Sequence, residues 1–360
     1  PSFSGGWVVS NETFMEDIKG VFNFAKLRGS WGSIGDQSVS NSLYLATMEV
    51  EKNNWLTSTG QQFFQLGTPG AIADAITWQD IEHLNLGTDL RFFNNRFGLV
   101  FEWFQRYTRN MIIPGDALPA TYGTGAPQGN YGDLRTRGWE IGADFTHRFK
   151  NGLRLSLNAN LFDATTYITK GADWNTPWEN RSLGNQFSTG RRYGDVYGYV
   201  TDRLYQKDDF VYGNDGNIVQ TTIIRDGTAK LTNMLVGDNP VYQVFFEDGN
   251  QVLLVSPGDV KFVDVNGDGY IDQGKNTNGS PGDKVVIGNS TPRYQYGFRV
   301  GADFKGFDLS VFMQGVGKRS IWGSGQLAIP GYYSKEGAMP QAIAGDFWKE
   351  DRTDAFYPRA

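Results

Sequence analysis

Hydrophobic and polar residues alternate with a period of two along several stretches of the chain, the pattern of strands with one apolar and one polar face. Over residues 84–93 one face carries Leu84, Leu86, Leu90 and Phe92, and the other Asn85, Gly87, Asp89 and Arg91. Past Asn94-Asn95 the pattern resumes, with Phe97, Leu99, Phe101, Trp103 and Tyr107 opposite Gly98, Glu102, Arg106 and Thr108. This predicts a hairpin closed by a tight polar turn. A second hairpin is predicted from Trp139, Ile141, Ala143, Phe145 and Phe149 opposite Glu140, Gly142, Asp144, Thr146 and Arg148. It turns at Lys150-Asn151-Gly152 and returns through Leu153, Leu155, Leu157, Ala159 and Leu161. A third joins Phe298, Val300, Ala302 and Phe304 across Lys305-Gly306 to Phe307, Leu309, Val311 and Met313. An isolated strand is read over 25–31, with Lys26, Arg28 and Ser30 opposite Ala25, Leu27 and Trp31.

These strands run to about 10 residues, the length a tilted strand needs to cross a bilayer. Every hairpin closes in two or three residues, whereas the segments at about 32–83, 109–138 and 164–293 are far longer than the usual ~4–6 residues of a connection. Short turns at one side and long loops at the other describe an outer-membrane barrel with extracellular loops. The expected fold is all-β, part of a large antiparallel transmembrane barrel. Leu86, Phe101, Trp103, Ile141, Leu155 and Val300 then face lipid, and Arg91, Glu102, Asp144, Arg154 and Arg299 line the lumen. Phe92, Phe93, Phe97, Phe149, Phe304 and Phe307 cluster at the tight ends, as an interfacial girdle would. A soluble β-sandwich produces the same alternation and stays open as the other reading.

Composition narrows the function classes. Cys is absent and His numbers two, His83 and His147, which removes disulfides, thiolate metal sites and cysteine nucleophiles. A net charge of −6 argues against nucleic acid, which needs a basic surface. The 46 glycines in 360 residues are nearly twice the usual ~7% and agree with strands and turns. No signal peptide is read at Pro1-Ser2-Phe3, and both termini look cut, so the chain is expected to be a piece of something longer. Three classes stay in play: a transporter barrel, a secreted calcium-dependent carbohydrate-binding β-protein, and a glycan hydrolase. The enzyme comes last, because no catalytic constellation emerges.

The sharpest chemical motif is Asp264-Val265-Asn266-Gly267-Asp268-Gly269-Tyr270-Ile271-Asp272. Calcium loops place oxygen ligands at positions one, three, five, seven (a carbonyl) and nine, with Gly at six. Asp264, Asn266, Asp268, Tyr270 and Asp272 match, as does Gly269, but position twelve is Lys275 where a bidentate Glu is usual. Asp283 could substitute, and the expected role of the calcium is structural; a metal-free turn held by its own side chains is the alternative. Trp174, Trp178, Tyr193, Tyr197 and Tyr199 could stack on sugar rings, as candidate substrate contacts, or pack against one another. Asp208-Asp209 reads as solvated charge, and His147 as an interface position.

The stretch Gly258-Asp259-Val260-Lys261-Phe262-Val263-Asp264-Val265-Asn266-Gly267-Asp268-Gly269-Tyr270-Ile271-Asp272, continuing to Ile287-Gly288-Asn289-Ser290-Thr291-Pro292-Arg293-Tyr294-Gln295-Tyr296-Gly297-Phe298, resembles the signature of the SusC/RagA family of TonB-dependent outer-membrane transporters of Bacteroidetes. Tyr199-Val200-Thr201-Asp202-Arg203-Leu204-Tyr205-Gln206 resembles a second family loop, with Arg203 where Gly is usual. Gly6-Trp7, Leu27-Arg28-Gly29-Ser30-Trp31-Gly32 and Tyr357-Pro358-Arg359 fall in family order. The resemblance implies a 22-stranded barrel in the bacterial outer membrane, closed by an N-terminal plug and capped by a SusD-like surface lipoprotein. It implies import of oligosaccharides or peptides, energised by TonB-ExbB-ExbD. No segment here reads as the TonB box or plug, so the chain is expected to be the middle-to-late barrel with its external loops.

Overall fold

In a computed structural model, the described residues are 1–37, 43, 45–115, 118–171, 189–225, 227–244, 247–248, 251–252, 254–274, 281–325, 340–341 and 343–359. The chain divides into two units, one built mainly from Pro1–Asp173 and Thr291–Arg319, the other mainly from Gly194–Ser290 and Ser320–Ala360. Among the described residues no helix is long and apolar enough to cross a membrane.

The first unit is a sheet of eight strands. In chain order the strands are β1 (Ser2–Val8), β2 (Phe22–Asp36), β3 (Val50–Leu56), β4 (Gln62–Leu66), β5 (Gln79–Phe92), β6 (Phe97–Pro114), β7 (Gln128–Arg148) and β8 (Arg154–Lys170), followed by a closing hairpin, Arg293–Phe304 and Phe307–Lys318. β3 and β4 pair only with each other. The other eight form one antiparallel meander in the order β1-β2-β5-β6-β7-β8 and then the two strands of the closing hairpin. All the strands read from alternation are present. The strand expected over 25–31 is not isolated, because β1 lies on one side of it and β5 on the other.

Register decides the faces, since paired residues point the same way. Leu86 pairs Trp103, which pairs Trp139; Phe101 pairs Ile141, which pairs Leu161. Arg91 pairs Gly98, Gly98 pairs Asp144, Asp144 pairs Asn158, and Asn158 pairs Arg299. The two sets expected on opposite faces are therefore sorted as the alternation predicts. The apolar row is not covered by a second sheet: Leu86, Phe101, Leu157, Val300 and Leu309 all stay exposed, Leu309 at 67%. A soluble sandwich would bury this face, which corrects the sandwich reading.

The strands run further than the alternation. β2 continues to Asp36 and β5 begins at Gln79; β6 reaches Pro114, β7 starts at Gln128 and spans 21 residues, and β8 reaches Lys170. The segments read as loops at 32–83 and 109–138 thus contain strand ends, and the first also holds the β3–β4 hairpin. The cause is that the apolar face acquires charge there, with Glu82, Arg109, Arg135 and Arg137, so pairing persists where the hydrophobic period is gone. At ~3.3 Å per residue β7 is about 70 Å long, well beyond a hydrocarbon core of about 30 Å.

Tight turns close one side of the sheet. Lys305 and Gly306 take left-handed φ values of 51° and 87°, the two-residue turn that matches strand twist. Between β5 and β6, Phe93, Asn94 and Asn95 are all left-handed, and the Asn23 side-chain oxygen accepts the N–H groups of Asn94 at 2.6 Å and Asn95 at 3.3 Å. On the outward face beside the next turn, His147 stands between Phe145 and Phe149, 4.5 Å and edge-on from the latter.

In the second unit, short strands surround two small cores, Tyr205-Phe210-Leu235-Val255 and Ile223-Val244. Thr201–Leu204 pairs antiparallel with Val260–Phe262, Asp195–Gly198 with Val285–Asn289, and Gln220–Arg225 with Thr228–Asn233.

Candidate functional site

The polar face of the sheet is organised by glycines. Each sits on a middle strand and lets a long side chain from one neighbour lie flat across it to reach the next. Arg28 of β2 crosses Gly87 of β5 and pairs with Glu102 of β6, with Asp89 at 3.2 Å on its other side. A Cβ on Gly87 would meet the Arg28 guanidinium carbon at 2.8 Å. Arg91 of β5 crosses Gly98 of β6 and reaches both oxygens of Asp144 on β7, at 2.6 and 2.9 Å. Phe104 lies over Gly138 and stacks on Phe162, with ring centroids 6.2 Å apart and planes within 6°.

Around the third of these steps opens a basin of about 540 Å³, lined among others by His83, Asn85, Glu102, Phe104, Arg106, Glu140 and Phe162. Asn85 donates to Glu102 at 3.0 Å and His83 stands edge-on to Phe104. Glu102 is committed to Arg28 and Asn85, and Thr136, Thr166 and Thr291 add hydroxyl groups to the lining. What it offers is hydrogen bonding, charge of both signs and an aromatic shelf, which suits reversible contact. No sequence motif points to this basin; its signal was the Gly and charged residues of the second face, spread over strands that only the fold brings together.

The long excursion between β8 and the closing hairpin is pinned at its stem. Asp163 accepts a fork of N–H groups from Arg293, 130 positions away, and the backbone N–H of Tyr294 at 3.3 Å. Inside the excursion the signature residues build structure. The Tyr205 N–H donates to the Asp259 carbonyl and the Gly258 N–H to the Tyr205 carbonyl, both at 2.8 Å, while Tyr205 is buried. Trp348 lies over Gly258, whose φ is +90°, and Arg359 forks onto Asp259 at 2.7 and 3.1 Å. Arg203, at the position where Gly is usual, forks onto Asp209 at 2.6 and 2.5 Å. Asp209 is therefore a structural anchor and not simply solvated charge. Burial alone would raise its pKa, but Arg203, the Gln206 N–H and Lys261 hold it below the usual carboxylate range.

Of the aromatic candidates, Trp174 and Trp178 lie outside the described residues. Tyr193 is 54% exposed. Tyr197 sits in Asp195–Gly198, and Tyr199 packs on Phe262 with ring centroids 5.5 Å apart. Burial, with Asp283 nearby, pushes the Tyr199 hydroxyl above the usual tyrosine range. Tyr199 is therefore half-buried against Phe262 within its own unit.

The acidic loop is folded on its own side chains. Asp264 accepts the N–H groups of Gly267 at 2.6 Å and Gly269 at 2.8 Å; Asn266 accepts that of Asp268, and Asp268 that of Tyr270, both at 2.9 Å. The sharp turns use Gly267 and Gly269, with φ of +77° and +85°. Asp283, fully buried, accepts from Val265, Asn266 and Asp272 and so closes the loop from behind. Burial raises its pKa, and Asp264 and Asp268 push the same way. The local folding fits an oxygen-ligand loop, but Asp272, at position nine, is ion-paired with Arg225. Among the described residues no group of three or more His, Cys, Asp and Glu is arranged to hold a metal ion, and Lys275 lies outside them.

No protein-family model matches the sequence. TonB-dependent receptor P3 of Formosa agariphila is 25% identical over 321 residues, 87% of this chain and 27% of that protein. TonB-dependent receptor P26 of the same organism is 24% identical over 367 residues, the whole of this chain and 32% of that protein. The chain thus spans about a third or less of the length of these curated relatives. Among solved structures, the RagAB peptide importer in its open-open state matches with a TM-score of 0.61 and 16% identity, and the RagAB peptide transporter with 0.62 and 17%. Each match covers 99% of this chain and 33% of the other. In sequence the chain is similar to part of the TonB-dependent receptors of a Bacteroidetes organism and in fold to part of a TonB-dependent transporter barrel, as its resemblance to the SusC/RagA family implies.

Proposed function

We propose that the chain is the middle-to-late barrel portion of an outer-membrane transporter that imports oligosaccharides or peptides with energy from TonB-ExbB-ExbD, working beneath a SusD-like surface lipoprotein. The observation that carries this reading is the antiparallel meander whose apolar face is open and whose polar face is neutralised internally by ion pairs. A lipid-facing wall around a water-filled passage needs that combination. The relatives add support as TonB-dependent receptors, and the structural neighbours as a RagAB peptide importer. The basin at Glu102, Phe104 and Phe162 supplies contacts that serve either solute class. Uptake of labelled peptides and labelled oligosaccharides by cells with and without the intact gene tests the reading, with a TonB-deficient strain as control. Uptake unchanged by loss of either gene would overturn it.

A further inference from the structure

The acidic loop already holds a positive charge, and the charge belongs to the chain. Arg225 ends the strand Gln220–Arg225, far from the loop in sequence. Its guanidinium is paired with Asp272, stands 3.8 Å from Asp268 and lies over the Tyr270 ring at 4.6 Å. It thus touches positions five, seven and nine of the loop, the arc that a bound cation would neutralise. The placement is rigid. Tyr270 packs against Ile223 and Val244, and Tyr242–Gln243 pairs parallel with Tyr270–Ile271, so the hairpin that carries Arg225 and the loop share one small core.

Four carboxylates, those of Asp264, Asp268, Asp272 and Asp283, crowd this segment, and such a group needs a compensating charge to stay folded. We propose that Arg225 is the resident cation of the 264–272 loop, so that the loop folds without a divalent ion and takes one up only in exchange for the guanidinium. A planar, always-charged arginine suits this role, because its nitrogens can face two carboxylates while its face stacks on an aromatic ring at the same time. The calcium expected from the spacing then meets an occupied site.

Amide exchange across 264–272 in the intact protein, with EDTA or with millimolar calcium, tests this. Native protein is expected to protect the loop equally in both. Arg225→Gln should lose protection in EDTA, with exchange faster by about tenfold or more, and should regain it in calcium. Arg225→Lys, which keeps the charge but loses the planar face over Tyr270, should fall between. Protection in native protein that collapses in EDTA would overturn the proposal and leave calcium as the loop's cation. Full protection of Arg225→Gln in EDTA would overturn it as well, and failure of calcium to restore that variant would remove the exchange.

Discussion

Arg91 and Asp144 meet across an intervening strand, their ion pair passing directly over Gly98, which pairs with both of them. Both side chains are more than a third exposed, so the pair itself is worth only ~0–1 kcal/mol. The glycine matters more. A Cβ there would collide with both the guanidinium and the carboxylate.

Gly98→Val should accordingly destabilise the sheet by about 1–3 kcal/mol through overpacking, whereas Arg91→Ala should be nearly neutral. Thermal unfolding in detergent measures both. The double variant should recover part of the loss, because removing the arginine clears one of the two collisions; a double variant as unstable as Gly98→Val alone would contradict the argument.

Asp163 is the more costly carboxylate to disturb. Its side chain is 6% exposed and that of Arg293 21%. Asp163→Ala leaves a half-buried guanidinium without its counter-charge, a change expected to cost about 3 kcal/mol. Replacing both residues should cost less than replacing Asp163 alone, which a double-mutant cycle on the unfolding midpoint reads directly.

The Arg203–Asp209 pair gives a pH signature. The Asp209 pKa is depressed in the folded protein, so its contribution to stability is complete above the ordinary value of 3.8 and is lost as pH falls through the depressed one. Protection of the amides near Gln206 and Asp209, taken relative to the intrinsic exchange rate at each pH, should therefore fall in acid in the native protein. Asp209→Asn should already be fast at neutral pH and respond less to acid; an unchanged acid response would show that another group is responsible.

Leu155 and Arg154 are adjacent, and register puts them on opposite faces, Leu155 opposite His147 and Ala302 and Arg154 opposite Arg148 and Asp303. Spin labels at the two sites should respond oppositely, the first to oxygen dissolved in lipid and the second to a water-soluble relaxer. Similar responses would mean that the polar face does not line an aqueous passage.

The apolar period of two was enough to find the membrane-length parts of seven strands, because one buried or lipid-facing side forces strict alternation there. β1 escaped because Ser4-Gly5-Gly6 carries no hydrophobic contrast, and its partner β2 alone defines it. The ends of β6 and β7 escaped because alternation stops there: β6 runs through Arg109-Asn110 into three consecutive apolar residues, Met111-Ile112-Ile113, across register shifts, and β7 carries Arg135 and Arg137 on the face that is apolar further along. Asp264 to Asp272 was legible because a ligand loop is local in sequence. Arg225 was not, since it is 47 positions from the Asp272 it neutralises and comes from another hairpin. Asp209 was misread even though its partner Arg203 is only six positions away, because a carboxylate looks solvated until the fork that holds it is known.

The stem formed by Asp163 and Arg293 also bears on how such a chain can change. Because the two residues fix the strand register where the closing hairpin joins β8, the pairing between them and the turns does not depend on what is spliced in between. Closure entropy grows only slowly with the length of such an insert, by ~0.6 kcal/mol per doubling. Exchanging the interval from Lys170 to Ser290 between relatives, as a cassette, should therefore leave the pairing of Leu161 with Tyr296 intact. The excursion can then diversify by recombination at one locus while the sheet is inherited unchanged.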